Sequence, residues 1–184
     1  MSLRIIFFGT PQFAIPTLER LIKSEHEIVA VVTQPDRQKG RGQKFFNTPI
    51  KDLALKNELL LLQPATLNES NFIAHLGRLK LDIGVVAAYG KLIPDNVLSK
   101  PRLGMINLHA SLLPKYRGAS PVHRAVMAGE DLTGVTIMRI ASKLDSGNIL
   151  AKTERPIGTN ETSAEVEQDL SIIGSKLMLS VLRD

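Results

Sequence analysis

Cysteine and tryptophan are both absent from this sequence of 184 residues, and aromatic side chains make up only 4% of it. The lack of cysteine excludes disulfide bonds, thiolate metal ligands and a cysteine nucleophile, so any chemistry must use His, Asp, Asn, Ser or Lys side chains. The scarcity of aromatic residues argues against the stacking platforms with which proteins bind single-stranded nucleic acids.

Long apolar segments are also absent. No run approaches the roughly 20 apolar residues that a membrane-spanning helix needs, and the N-terminus lacks the apolar region and cleavage site of a signal peptide. We therefore expect a cytoplasmic protein without a membrane partner, and a chain of this length fits one domain. The net charge of +5 is modest, but a basic surplus favours polyanionic partners such as nucleic acids.

Motifs for bound nucleotides and metals are incomplete. The segment "FFGTPQFA" has one glycine where a dinucleotide-binding turn needs three, and Pro11 removes a backbone donor. In "GVVAAYGKL" the glycines are one residue too far apart for a phosphate-binding loop, and Leu92 stands where a Ser or Thr would meet magnesium. The histidines show no paired-ligand spacing, so we expect no catalytic metal.

Strand and helix patterns alternate along the chain. The apolar runs "LRIIFFG", "EIVAVVT", "LLLLQ", "DIGVVAAYG" and "MINLH" are predicted as buried strands, each followed by a helical segment. In the first helix Thr10 is predicted as the N-cap and Pro11 falls in the first turn. Two strands, "TGVTIMRI" and "GNILAKTER", precede a C-terminal amphipathic helix. This order predicts a doubly wound, mostly parallel α/β sheet of Rossmann-like type with a mixed edge.

One connection, from Gln34 to Pro49, is far longer than the usual 2 to 6 residues or so between a strand and a helix. It carries four basic residues, Arg37, Lys39, Arg41 and Lys44. Two interpretations stay open at this point. The segment is either a mobile solvated loop or a flexible cationic finger that closes on a phosphate-bearing ligand.

Asn107 and His109 lie two residues apart at the end of the predicted strand "MINLH". Side chains at this spacing share a face, and ligands of open α/β sheets bind beyond the carboxyl ends of the strands. An amide beside an imidazole suits a carbonyl that becomes tetrahedral, although an isolated N-x-H is also common in ordinary loops. Asp145, in the turn after the next strand, would orient the imidazole and favour its protonated form, unless it is only a turn residue.

The segments "NLHASLLPKYRGASP" and "GVTIMRIASKLDSGNIL" together resemble the folate-dependent formyltransferases. Within that family, "FFGTPQFA", "TQPDR" with "GRG", and "AAYGKLIP" are similar to the members that act on methionyl-tRNA. The resemblance implies a formyltransferase-type fold and direct transfer of the formyl group of 10-formyltetrahydrofolate to the α-amino group of methionyl initiator tRNA, for translation initiation. It also implies catalytic roles for Asn107, His109 and Asp145, without a metal.

The resemblance further implies two binding regions. "SLLP" matches the family's folate-binding signature, and the segments 87–93 and 140–144 would frame the pterin. The implied folate-binding residues are Ser111, Leu112, Leu113, Pro114, Tyr89 and Leu92, of which the last two also suit simple loop packing. In this family the long basic loop enters the acceptor arm of tRNA, so its phosphate or base contacts would come from Arg37, Lys39, Arg41 and Lys44.

This chain departs from the family's pattern in two ways. "LDSGN" replaces the family's "LDTGD", but Ser146 keeps the hydroxyl and Asn148 lies outside the implied catalytic set, so we expect activity to survive. The complete members of the family that act on methionyl-tRNA carry a C-terminal β-barrel of the oligonucleotide-binding type, which nothing after Asp184 supplies. We therefore interpret residues 1–184 as a catalytic domain, expected to be monomeric.

Two alternatives remain. One is a formyltransferase that acts on a small amine, such as glycinamide ribonucleotide or an amino sugar nucleotide. The glycinamide ribonucleotide enzyme, however, has a phosphate loop rich in Gly, Ser and Asn in its first turn, and "GTPQFA" lacks these residues in that arrangement. The other is a non-catalytic RNA-binding module that uses the basic loop.

Overall fold

The computed structural model describes residues 2–39, 44–142 and 144–183. Its strands are β1 (Arg4–Gly9), β2 (Glu27–Val32), β3 (Arg37–Lys39), β4 (Lys44–Phe46), β5 (Leu61–Leu62), β6 (Ile83–Ala87), β7 (Met105–His109), β8 (Leu132–Arg139) and β9 (Ile149–Pro156). Its helices are α1 (Ile15–Ile22), α2 (Pro49–Lys56), α3 (Ser70–Arg78), α4 (Asp95–Leu98), α5 (Pro121–Met127) and α6 (Ser163–Arg183).

Seven of the strands form one sheet in the order β5-β2-β1-β6-β7-β8-β9. The pairs from β5 to β7 are parallel, whereas β7–β8 and β8–β9 are antiparallel. The mostly parallel sheet with a mixed edge is confirmed. Because the chain winds from β1 outward to β5 and then returns to place β6 beside β1, the direction of winding reverses between these two strands, where α/β proteins commonly bind ligands.

Helices cover both faces of the sheet, and β1 supplies apolar side chains to each face in turn. Ile5 and Phe7 pack in one cluster with residues of α1, α2 and α6, while Ile6 and Phe8 pack in a second cluster with residues of α3 and α4. All four side chains are fully buried. A strand buried on both faces explains why "LRIIFFG" is continuously apolar instead of alternating.

The predicted N-cap at Thr10 is wrong. A short 3-10 turn spans Gln12–Ala14, and α1 begins only at Ile15, with Pro16 in its first turn. Proline inside an α-helix would remove a backbone hydrogen bond, so a helix that contains Pro16 must start immediately before it. The Thr10 hydroxyl instead donates to the Tyr89 carbonyl at 3.0 Å, which ties the end of β1 to the loop after β6.

The long helix α6 packs against α1, α5 and the strands β8 and β9. The predicted amphipathic face is present, with Val166 and Leu170 buried and Ile173 and Leu177 partly buried against the same cluster. Within residues 2–39, 44–142 and 144–183, no helix has both the length and the apolar character to cross a bilayer.

Candidate active site

Strand β7 carries Asn107 and His109 at the carboxyl end of the parallel strands. Ile106 and Leu108 belong to the cluster under α1 and α6, so the alternation of the strand turns Asn107 and His109 together toward the opposite face. Asn107 is partly exposed, whereas His109 is 7% exposed. The amide therefore reaches the open edge of the sheet, and the imidazole lies just beneath the surface.

Asp145 lies beside His109, although 36 positions separate them in the sequence. Nδ1 of His109 is 3.6 Å from Oδ2 of Asp145, and both side chains are about nine-tenths buried. This distance suits an ion pair but is too long for a hydrogen bond. The backbone N–H of Gly118 donates to the same carboxylate oxygen at 2.7 Å, which fixes the orientation of Asp145.

The second ring nitrogen of His109 is also engaged. Nε2 lies 3.0 Å from the backbone carbonyl of Tyr116, which can only accept a hydrogen bond. The proton of a neutral ring therefore belongs on Nε2, and Nδ1 is the nitrogen that faces Asp145. A neutral imidazole has one N–H, so only the protonated ring could donate toward both the carbonyl and the carboxylate.

The "SLLP" segment forms a tightly bonded loop directly after β7. Ser111 is fully buried, and its hydroxyl donates to the backbone carbonyl of Lys115 at 2.7 Å. The hydroxyl of Thr136 accepts from the Leu113 N–H at 3.1 Å and donates to the Ser111 carbonyl at 2.7 Å. Leu112 is partly exposed, and Pro114, which follows a cis peptide bond, is exposed.

The loop after β6 contains Tyr89 and Leu92, which differ sharply in their exposure to solvent. Tyr89 is 2% exposed, and its ring packs edge-on against Phe8 with 5.3 Å between ring centroids. Burial raises the pKa of the Tyr89 phenol to about 12, and its carbonyl accepts hydrogen bonds from Thr10 and Gln34. Leu92, in contrast, is 77% exposed. Leu92 is therefore the side chain available at the surface, while Tyr89 belongs to the core.

The turn after β8 approaches the start of α4 and the loop after β6 at this edge. The Ser142 hydroxyl donates to the Asp95 carboxylate at 3.2 Å, and Ile140 packs in the same cluster as Tyr89. Leu144, like Leu92, leaves a large apolar side chain uncovered, with 54% of its surface exposed.

The long basic connection contains a hairpin that sequence patterns do not indicate. Strands β3 and β4 pair antiparallel with three residues each, too few for an alternating pattern to be recognised. Arg37, Lys39 and Lys44 lie in these strands, whereas Arg41 lies outside the described residues.

Polar contacts hold the base of this hairpin against the sheet. The hydroxyl groups of Thr33 and Thr48 are 2.8 Å apart, and Lys51 pairs with Asp36. Gln63 donates to the same Asp36 carboxylate at 2.9 Å. The hydrogen bond from Lys51 is the main reason why the pKa of Asp36 is lowered. The two ends of the connection, at Asp36 and Thr48, are therefore fixed.

Sequence reasoning missed several residues that shape the site. The sequence gives a weak indication of the role of Thr136, because this residue is polar but lies inside the buried strand "TGVTIMRI". It gives no indication for Tyr116, since Tyr116 contacts His109 through a backbone carbonyl that any residue possesses. Gln34, whose side-chain amide donates to the Tyr89 carbonyl at 3.2 Å, resembles an ordinary loop residue in the sequence.

The arrangement suits proton transfer and the stabilisation of negative charge on an oxygen atom. An amide, an imidazole and a carboxylate meet at one edge, and a donor pair of this kind favours a tetrahedral intermediate of acyl transfer. In the part of the chain that the structure describes, no group of three or more His, Asp or Glu side chains is arranged to hold a metal ion.

Fold and site together are those of an α/β enzyme domain with its polar groups at the carboxyl ends of the parallel strands. The family model described as formyl transferase matches residues 3–182, so the chain belongs to the formyl transferase family. It is 47% identical over 182 residues to the methionyl-tRNA formyltransferase of Coxiella burnetii, an alignment that covers 99% of this chain and 58% of that protein. The chain thus spans less than two thirds of the length of the curated relatives it matches.

Solved structures show the same fold at low sequence identity. Phosphoribosylglycinamide formyltransferase from Bacillus halodurans superposes with a TM-score of 0.81 at 20% identity, covering 97% of this chain and 93% of that one. A formyltetrahydrofolate deformylase from Pseudomonas syringae gives a TM-score of 0.79 at 18% identity, covering 100% of this chain and 61% of that one. At such identities the likeness concerns the fold alone.

Proposed function

We propose that this chain is the catalytic domain of an enzyme that transfers a formyl group from 10-formyltetrahydrofolate to the α-amino group of methionyl initiator tRNA. The observation that carries the proposal is the 47% identity to a methionyl-tRNA formyltransferase across 99% of the chain. The enzyme would act in the cytoplasm, as a monomer, in translation initiation.

In the proposed reaction the substrate supplies the nucleophile. The amine nitrogen attacks the formyl carbon, and the carbonyl oxygen gains negative charge as the carbon becomes tetrahedral. Collapse of this intermediate breaks the bond between the carbon and N10 of the folate. The amine nitrogen loses a proton and N10 gains one, so no oxidant, metal or covalent enzyme intermediate is needed.

Asn107 and His109 would stabilise the charged oxygen in this scheme. The Asn107 amide is partly exposed at the sheet edge and can donate a hydrogen bond. Since Nε2 of His109 is committed to the Tyr116 carbonyl, Nδ1 is the nitrogen that would face the reacting group. Asp145, 3.6 Å from Nδ1, would hold the imidazole in place and accept protons through water.

The residues at this edge are compatible with a folate. Leu92 and Leu144 expose apolar surface beside backbone groups of the loops after β6 and β8, which suits a flat aromatic ligand with polar edges. The rigid loop formed by Ser111, Leu112, Leu113 and Pro114 would complete the site.

The basic hairpin would contact the acceptor arm of tRNA through Arg37, Lys39, Arg41 and Lys44, because phosphate contacts supply most of the affinity in such complexes. The turn after β1 argues against glycinamide ribonucleotide as the acceptor. Pro11 has no N–H, and the Thr10 hydroxyl is occupied by the Tyr89 carbonyl, so this turn lacks a cradle for a phosphate.

The test has two stages. Calorimetry with a stable 10-formyltetrahydrofolate analogue should give saturable one-to-one binding, and methionyl-tRNA should then be formylated in preference to glycinamide ribonucleotide.

Replacing Asn107 or His109 with alanine should slow transfer on the order of 100 to 1000-fold, the usual cost of losing one oxyanion donor. A folded protein that binds no folate would leave the RNA-binding module as the better explanation, and rates within a few-fold of the unmodified enzyme would remove the two residues from the mechanism.

A further inference from the structure

The backbone around His109 is held in an unusual conformation. Tyr116 and Asp145, which provide the oxygen atoms facing the two ring nitrogens, have φ angles of 56° and 45°. Non-glycine residues rarely adopt this left-handed region, because it is strained, and they keep it only where the surrounding structure enforces it. Some other interaction must therefore hold Tyr116 in place.

Glu130 supplies that interaction from outside the site. Its carboxylate accepts a hydrogen bond from the Tyr116 hydroxyl at 2.7 Å, and Lys115 donates to both of its oxygens at 2.9 Å. The guanidinium group of Arg124 lies over the Tyr116 ring, 5.6 Å from its centroid. The Tyr116 side chain is thus fixed at its hydroxyl and across its face, while its backbone carbonyl contacts His109.

The charges in this cluster support one another. The hydrogen bond from Lys115, followed by that from Tyr116, lowers the pKa of Glu130, and the bond to Glu130 raises the pKa of Tyr116. At neutral pH the carboxylate therefore stays ionised as an acceptor and the phenol stays protonated as a donor. Hydrogen bonds to an ionised partner are the stronger kind, as is needed to hold a strained backbone.

We propose that Glu130 is a positioning residue, which acts through Tyr116 to fix the proton of His109 on Nε2 and to reserve Nδ1 for Asp145 and the substrate. The expected effect on kcat rests on the proposed function. The expected effect on the His109 tautomer does not depend on it. Without Glu130, Tyr116 can relax from its left-handed conformation, and its carbonyl then no longer selects one ring nitrogen.

The experiment compares Glu130→Ala and Tyr116→Phe with a matched control, Asp82→Ala. Asp82 resembles Glu130 in its exposure, 24% against 25%, and in its pairing with one cation, but it precedes β6 at the opposite edge of the sheet. The readout is the set of long-range ¹H–¹⁵N imidazole spectra, which the small number of histidines, 4, makes assignable. Transfer kinetics with methionyl-tRNA provide the second readout.

In the unmodified protein and in Asp82→Ala, His109 should carry its neutral-state proton on Nε2. Glu130→Ala and Tyr116→Phe should both shift His109 toward a mixture of tautomers, with the other three histidines unchanged. Their kcat should fall about tenfold with KM for folate unchanged, as expected when one hydrogen bond to a charged group no longer supports a catalytic side chain. Glu130→Gln, which keeps an acceptor for Tyr116, should recover part of the rate.

Unchanged His109 signals in folded Tyr116→Phe and Glu130→Ala proteins would overturn the proposal, even if kcat fell. An equal loss in Asp82→Ala would also overturn it, because the effect would then reflect general destabilisation. If the unmodified chain transfers no formyl group, the proposed function fails, while the imidazole spectra still decide whether Glu130 controls the tautomer.

Discussion

Among single residues, the tyrosines form a natural pair, because there are only two and their hydroxyl groups lie in opposite environments. The hydroxyl of Tyr89 is buried and has no hydrogen-bond partner among the described residues, whereas that of Tyr116 donates to Glu130. An unpaired buried hydroxyl lowers the stability of the fold, so its replacement by an apolar group raises the free energy of unfolding. Removal of a hydroxyl that makes a hydrogen bond lowers the free energy of unfolding.

The same substitution should therefore change stability in opposite directions. We expect Tyr89→Phe to leave the free energy of unfolding unchanged or to raise it, by up to about 1 kcal/mol, and Tyr116→Phe to lower it by about 1 kcal/mol. Urea unfolding of both variants beside the unmodified protein measures the difference. A loss of stability in Tyr89→Phe would mean that its hydroxyl has a partner, such as a buried water molecule.

At the level of secondary-structure elements, the position of β7 depends on how closely α6 approaches it. A Cβ atom added at Gly174 of α6 would lie 2.5 Å from Cδ1 of Leu108, which stands between Asn107 and His109. Gly77 of α3 offers a matched control, because a Cβ atom there would meet nothing within 4 Å. Both positions are helical, so alanine brings a similar gain in helix propensity and only the packing differs.

We expect Gly77→Ala to stabilise the protein by about 0.5 kcal/mol, since glycine is unfavourable in a helix. Gly174→Ala should destabilise it by about 1 to 3 kcal/mol, the usual cost of overpacking a core. Because the displaced side chain belongs to β7, the variant should also lose transfer activity when it is still folded. Thermal unfolding gives the first comparison, and the transfer rate well below the melting temperature gives the second. Equal stability of the two variants would show that α6 can move away without cost.

Considered as a whole molecule, the fold follows from patterns that extend along the chain, and the site only partly does. Continuous apolar runs such as "LRIIFFG" predict buried parallel strands, and the polar pair Asn107 and His109 at the end of such a strand predicts a site at the sheet edge. Contacts made by backbone groups, such as the Tyr116 carbonyl on His109, carry no residue-type signal. The hairpin of β3 and β4 was missed because three residues are too few to establish a period.

The stability of the whole domain in acid depends on ion pairs at the edge of the sheet. Arg155 of β9 pairs with Glu161 and with Asp169 of α6, and it thereby links the edge strand of the sheet to the longest helix. The hydrogen bonds from Arg155, and then from the Gly158 N–H, lower the pKa of Glu161 from 4.5 to about 2. Glu161 lies in the connection between β9 and α6, so its protonation removes one carboxylate partner of Arg155 and weakens the contacts at this edge of the sheet.

The sign of the effect follows from the direction of this shift. A carboxyl group with a lowered pKa in the folded state contributes stability that is fully present above pH 4.5 and is lost as the pH falls toward 2. Glu161→Gln should therefore be less stable than the unmodified protein at neutral pH, and the difference should shrink across that interval. Urea unfolding at a series of pH values measures it, with Glu167→Gln on α6 as a control for the same chemical change. If the two variants kept the same pH dependence, the ion pair between Arg155 and Glu161 would not contribute to stability, and the Asp169 pair together with apolar packing would have to hold the edge strand.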